Sequence, residues 1–274
     1  MPLTAWVAVM VLAQSSSAWT ASFSVEPARE SLRYRFDNPS SFDTVELVPH
    51  FFEQTYATSN VWIGGRITYP LFGRVSETRV SATPTATRRA DDFDTFFQPD
   101  GNVVRSGTTG TASIRSLQIL ERIAADRIGS IDVGVSLGYR RDTARYHDGI
   151  GILTTTRPPT DVRRLVTTRE FVTSQLFEAG VFGARDGAAF SGSVDVVAVG
   201  TGRLAVQLPD KYPGRTIVAV GRYSAAMVEG AYTRRAGPAV ARIGLRAGAS
   251  LPWRYSSAMR LRRLSLFVTL GTDD

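Results

Sequence analysis

Cysteine is absent from the 274 residues. That excludes a disulfide framework, a thiolate metal site, a cysteine nucleophile and a lipoprotein anchor. Lysine is nearly absent too. Lys211 is the only one among 32 basic residues, so the net charge of +7 is carried by arginine. Histidine is limited to His50 and His147, too few for a centre built on several imidazoles. No run of about 18 apolar residues exists, so no helix can span a bilayer. A Gly-x-Ser-x-Gly elbow is missing, and glycine-containing runs such as Gly180–Gly187 lack a following Walker lysine. The basic balance would suit nucleic acid, but the arginines are spread through strand-like segments and are not gathered with aromatic stacking platforms. No nucleic-acid partner is therefore expected.

What the chain does have is alternation. In Ile131–Tyr139 the side chains of Ile131, Val133, Val135, Leu137 and Tyr139 fall on one face of a strand, and Asp132, Gly134, Ser136 and Gly138 on the other. Similar patterns recur behind an apolar N-terminal stretch, Ala5–Ala13, followed by Ser16 and Ala18. Residues 1–18 read as a secretory signal cleaved after Ala18, although no Lys or Arg precedes the apolar stretch. Residues 19–41 read as an N-terminal segment with a short strand over Ser31–Phe36, and residues 42–274 as one all-β barrel domain.

About ten antiparallel strands are expected, and eight to twelve fit the same length. The clear ones are Val61–Leu71, with Arg66 on the polar face; Ser76–Thr87, with Glu77 and Arg79; the segment from Ile131, extended to about Thr143; and the run with Ile243, Leu245 and Ala247 opposite Arg242, Gly244 and Arg246. Thr111–Arg122 alternates poorly, and Leu117–Leu120 also fits a helical turn. Gly200 and Gly202 mark a bulge, and Arg262-Arg263 a break in parity before Leu264. Links at Pro70–Val75, Ala124–Gly129, Gly183–Ala188 and Arg234–Pro238 are short. Those at Arg88–Gly110, Tyr146–Val166, Pro209–Arg215 and Leu251–Ser257 are mostly longer, and the two kinds alternate.

This combination resembles a Gram-negative outer-membrane β-barrel over nearly the whole chain. The resemblance implies short periplasmic turns, long extracellular loops, contact with outer-membrane lipid and lipopolysaccharide, and a last strand recognised by the barrel assembly machinery. The final strand, Leu264–Leu270, is followed by Gly271–Asp274 and does not end on the usual aromatic residue. A secreted soluble barrel of lipocalin type is the competing fold, with the two strand faces exchanged.

In size and strand count the chain is distantly similar to the omptin proteases, which set two aspartates on one wall against an Asp-His pair on the other. Asp91, Asp92 and Asp94 are a loose counterpart of the first pair. The loop Gln207–Arg215 offers Asp210 but no histidine, and His147 sits one extracellular loop earlier. These aspartates also fit solvated loop residues or a loop calcium site. Glu46 and His50 share a polar face but stand roughly 13 Å apart along a strand, too far to touch.

The remaining constellation is electrostatic. Glu46, His50, Arg66, Glu77, Arg79, Asp132, Arg140, Arg242 and Arg246 are expected on lumen-facing positions, where paired charges plug a narrow barrel. Arg88, Arg89, Arg163 and Arg164 are expected at the mouths of long loops, facing lipid phosphates. The expected class is a non-enzymatic outer-membrane barrel with a structural, surface-interaction or narrow-passage role, without metal or cofactor. The enzyme alternative is an omptin-like hydrolase.

Overall fold

The alternating segments form one antiparallel sheet that closes on itself. A computed structural model describes residues 19–37, 51–84, 86–97, 101–155, 163–166, 169–207, 209, 213–214, 216–252 and 259–272. The strands are β1 (Thr20–Asp37), β2 (Phe51–Leu71), β3 (Arg74–Ala82), β4 (Ala86–Phe97), β5 (Val103–Ile128), β6 (Ile131–Thr155), β7 (Arg163–Val166), β8 (Glu170–Asp186), β9 (Phe190–Gln207), β10 (Ile217–Ala236), β11 (Ala239–Pro252) and β12 (Met259–Thr272). β3 and β4 lie end to end between β2 and β5, and β7 and β8 share one position beside β6. The segments therefore make a barrel of ten strands, closed where β1 pairs with β12.

Turns at Phe72-Gly73, Gly129-Ser130, Gly187–Ala189 and Gly237-Pro238 gather at the end of the barrel that also holds Thr20 and Thr272. Gly73 and Gly129 adopt φ of 73° and 61°, a left-handed geometry that tight hairpins need and that glycine supplies without steric cost. The wall is uneven in height. β5 and β6 run for 26 and 25 residues, whereas β11 and β12 run for 14 each.

Outside, an apolar band circles the barrel. Leu245, Leu264, Leu266, Val268, Val228, Val194, Val196, Val181, Phe177, Leu137, Val135, Ile119, Ile63 and Val25 are all exposed on it. Inside at the same height lie charged and small residues. Above the band the arrangement inverts. Tyr56, Ala112, Ile114, Tyr146, Val172, Leu176, Leu204, Val206 and Tyr223 form a buried apolar cluster in the lumen. Arg115, Arg141, Arg145 and Arg203 are exposed on the outer face there. The two barrel types that the sequence left in competition are thus stacked in one wall: apolar-out below and apolar-in above.

A bulge makes the inversion possible in β9. The register slips beside Ala198, so Val197 faces inward, Ala198 and Val199 face outward, and Gly200 faces inward again. If the side chains alternated strictly from Val197 onward, with no bulge, Leu204 and Val206 would point outward. Gly180 stands opposite the bulge, where an added Cβ would meet the Val196 carbonyl oxygen at 2.1 Å. Gly134 faces another bulge, between Ala124 and Asp126, in the same way, with the Ile123 carbonyl at 2.1 Å.

Several expectations need correction. Thr20–Asp37 is a full wall strand bonded on both edges, not a segment ahead of the barrel with a short strand at Ser31–Phe36. Its exposed and buried residues alternate from Val25 to Glu30, with Glu26, Ala28 and Glu30 inward, but Pro27 and the charges obscure the pattern. Much of Arg88–Gly110 and of Tyr146–Val166 is strand, paired as extensions of the wall. Leu117–Leu120 is strand, with Leu117 and Ile119 outward and Leu120 turned into the lumen. Parity does not break at Arg262-Arg263: Arg262 points out and Arg263 in, continuing the alternation of Leu264. The β9 bulge falls at Ala198, just before Gly200.

Candidate functional site

The lumen within the band is filled by one connected ladder of charges, supplied by inward positions on most of the strands. At the end bearing the short turns, Arg66 and Arg242 each approach Asp186 at 3.8 Å. Arg66 also pairs with Glu77 at 2.6 Å, and Glu77 accepts from Arg79 and Arg122. Arg122 reaches across the barrel to grip Asp195 with both Nε and a terminal nitrogen, the former at 3.0 Å, and donates to Ser193 at 3.1 Å. Arg79 contacts Glu229 at 2.6 Å, and Glu229 meets Arg246 at 2.8 Å. Arg246 then pairs with Glu26 at 2.5 Å, and Glu26 with Arg263 at 2.6 Å. Higher still, Arg140 bridges Glu30 at 2.8 Å and Asp142 at 3.0 Å, while Asn60 donates to Glu30 at 3.1 Å.

Trp62 sits within this ladder, almost fully buried, with the guanidinium groups of Arg140 and Arg263 at 5.1 and 4.7 Å from its ring. Burying so many ions carries a large desolvation cost. It is offset only because most of these charges meet more than one opposite charge or hydrogen-bonding partner. Between the ladder and the apolar tier lies a cavity of about 60 Å³, lined among others by Gln118, Leu120, Gly138, Glu178 and Met227. Another of about 50 Å³ lies beside Tyr56, Asn60 and Ser174. Each has room for a few waters and none for a solute. At this level the Tyr223 hydroxyl donates to Glu178 at 2.9 Å.

Of the expected lumen residues, Arg66, Glu77, Arg79, Arg140 and Arg246 meet in the ladder, and Arg242 touches its lower end. Asp132 does not join it. It pairs with Arg127 on its own hairpin at 2.6 Å, at the exposed rim. Glu46 and His50 lie outside the described residues. The sequence reading missed Glu26, Glu30, Arg122, Asp142, Asp195, Glu229 and Arg263. Glu26 and Glu30 were hidden by treating their strand as a leading segment. Arg263 was hidden by reading the Arg262-Arg263 pair as a parity break.

The backbones of Asp91, Asp92 and Asp94 lie on β4, opposite Thr109, Thr108 and Ser106 of β5. His147 lies on β6, opposite Thr111 of β5. A whole strand therefore separates the two groups, about 10 Å between backbones. Their side chains are outside the described residues, as are those of Arg88, Arg89, Arg163 and Arg164. Among the described residues no group of three or more potential metal-binding side chains occurs.

On the outer face, arginines mark the upper edge of the apolar band: Arg29 on β1, Arg262 on β12, Arg222 on β10, Arg203 on β9, Arg141 on β6 and Arg115 on β5. No described carboxylate shares that edge. The lower edge is mixed, with Arg74 near Asp126 at 3.4 Å. Within the band Glu121 is the one outward carboxylate among the described residues, and it accepts from the hydroxyls of Tyr69 and Thr78.

No protein-family model and no curated protein matches the chain. Among solved structures, the outer membrane protease OmpT from Escherichia coli is similar over 94% of this chain and 96% of its own, with a TM-score of 0.57 and 10% identity. The translocator domain of the autotransporter NalP from Neisseria meningitidis aligns over 99% of this chain and 97% of its own, at 9% identity and a TM-score of 0.33. Neisserial surface protein A aligns over 90% and 96%, at 12% identity and a TM-score of 0.28. The similarity to OmpT extends over the whole wall, in size and in strand count, and the chain has the fold of a bacterial outer-membrane β-barrel.

Proposed function

We propose that the protein is a sealed barrel of the bacterial outer membrane that acts through its outer surface, in a structural or surface-interaction role, and does not conduct solutes. The single observation behind this reading is the continuous ladder from Asp186 to Asp142, roofed by the Tyr56–Tyr146 apolar tier. An outward apolar band with an inward polar filling suits a lipid surround. The asymmetry of the two rims orients it: among the described residues the charges at the upper edge are arginines, which fits the phosphate-rich lipopolysaccharide leaflet, where guanidinium groups bind phosphate in bidentate fashion. Export on a segment cleaved after Ala18 fits a first wall strand that begins at Thr20. β12, the last strand, is the segment for the assembly machinery to recognise.

The test is electrical. Folded protein added to a planar bilayer is expected to give no steps above the bare-membrane current. Stable ohmic steps from the unaltered chain would overturn the sealed reading. Arg88, Arg89, Arg163 and Arg164 extend the lipid-contact proposal to the taller wall. Their joint replacement by Gln is expected to lower the melting temperature in lipopolysaccharide-containing membranes and not in neutral lipid.

The hydrolase reading draws on the resemblance in fold to OmpT. It requires Asp91, Asp92 or Asp94 to work with His147, and the intervening strand β5 counts against that. Peptide cleavage by the purified barrel, abolished by His147→Ala, would reinstate it.

A further inference from the structure

We infer that the lumen holds a binding site for a small monovalent anion, chloride in the cell, in a cavity behind Asp186 at the end bearing the short turns, with Arg242 as its principal donor. The site goes beyond the surface role proposed above and is compatible with a sealed barrel, because the rest of the ladder lies above it. The cavity measures about 50 Å³, room for one or two water-sized species and too little for a polyatomic solute. Arg66, Arg79, Arg242 and Arg246 line it against Glu26 and Glu229, four guanidinium groups to two carboxylates. Both carboxylates are already bridged, Glu229 between Arg79 and Arg246 and Glu26 between Arg246 and Arg263. Ser24, Ser81 and Thr269 add hydroxyl groups to the same wall.

Arg242 is the cation left over. Its side chain is 15% exposed, and among the described residues it makes no hydrogen bond and meets one carboxylate, Asp186, at 3.8 Å. That distance is beyond hydrogen-bonding reach. Asp186 is shared with Arg66 at the same distance and is more than half exposed, so water screens its pull on both. The neighbouring strands offer Arg242 no charge. Thr233 stands directly across on β10 and Thr269 on β12, with Ser24 across from Thr269 on β1. The Thr233 hydroxyl is itself buried without a hydrogen-bond partner. A guanidinium carries five N–H donors and no acceptor, and burying it poorly paired is costly. An anion in the cavity accepts from Arg242 and Arg66 and from the hydroxyls of Ser24 and Thr269, and it supplies the negative charge that a water does not. Chloride suits the space: it is little larger than water and accepts from several donors at once. Asp186, at the entrance, competes with it for the same two guanidinium groups.

The test uses the full mature barrel, folded in uncharged detergent and titrated with sodium chloride against gluconate at constant ionic strength. The line width of the chloride NMR signal reports exchange with a bound ion, and bromide serves as competitor. The unaltered barrel is expected to broaden the line saturably, and bromide to remove the broadening. Arg242→Gln is expected to weaken chloride binding at least about tenfold. Asp186→Asn is expected to strengthen it severalfold, because the competing carboxylate is gone. Arg127→Gln, at the exposed rim, should leave it unchanged. Heat-modifiable gel mobility verifies that each variant is folded, and the Asp186 variant keeps the test decisive if Arg242→Gln does not fold. Absence of saturable broadening by the unaltered barrel, or broadening fully retained in Arg242→Gln, would overturn the site and leave water in the cavity. Affinity unchanged or lowered in Asp186→Asn would overturn it as well. The sealed-lumen reading is judged separately, by conductance, and either can fail without the other.

Discussion

Arg122 shows how a charge is kept inside this barrel. It is 3% exposed, and its guanidinium is shared among Asp195, Ser193 and Glu77. Removing it leaves two carboxylates in a packed lumen without their shared cation. Arg122→Met is expected to cost about 3–5 kcal/mol in urea unfolding from vesicles. Adding Asp195→Leu should restore part of that loss, because the uncompensated anion is then gone as well. A single-variant loss below about 1 kcal/mol would mean that water reaches these groups and screens them, contrary to a packed lumen. Trp62 offers a second probe at this depth: its emission should be blue-shifted and resistant to aqueous quenchers, as for any ring shut between packed side chains.

Among the strands, β9 carries the transition from apolar-out to apolar-in, and its bulge has a definite consequence. Deleting Ala198 removes the extra residue and leaves one-to-one pairing, with Val197, Gly200, Leu204 and Val206 still facing inward. Folding is expected to survive. Deleting Leu245 from β11, which has no bulge to absorb the change, sends Arg246 into lipid or shears the register with β10 and β12. That variant is expected to lose heat-resistant gel mobility. Equal tolerance of both deletions would contradict the assigned faces.

These strands also show what could be read beforehand. β11 was legible because every second residue is apolar and no bulge interrupts it, and β6 was legible from Ile131 to Tyr139 for the same reason. β9 was legible only in halves, since a bulge changes parity without changing composition. Its clue was Gly180 on the facing strand, which is visible only once pairing is known. β1 was missed because Pro27 and three charges lie in Glu26–Glu30, and only its partners show that Glu26 and Glu30 are lumen residues. The ladder's membership was partly legible from polar faces. Its connectivity was not, because Arg122–Asp195 and Arg246–Glu26 join residues 73 and 220 positions apart. The ten-strand count came through intact, because it depends on turns and alternation and not on exact strand ends.

At the level of the molecule, three layers are stacked along the barrel axis. A charged plug fills the lumen within the apolar band, an arginine rim crowns the band outside, and an apolar core closes the lumen above it. Each layer has the polarity opposite to its surroundings across the wall. The chain's lack of cysteine makes this directly measurable, since any single cysteine introduced is a unique label. Spin labels placed one at a time from Leu264 to Thr269 on β12, with the barrel in lipid vesicles, report collision with oxygen from the lipid phase and with a water-soluble nickel chelate. Oxygen accessibility is expected at Leu264, Leu266 and Val268, and accessibility to neither reagent at Ser265, Phe267 and Thr269. Nickel-chelate access at Ser265 and Phe267 would reveal a water-filled lumen, and the same access at Leu264 and Leu266 would reveal a soluble barrel; either result would contradict a sealed barrel in the membrane.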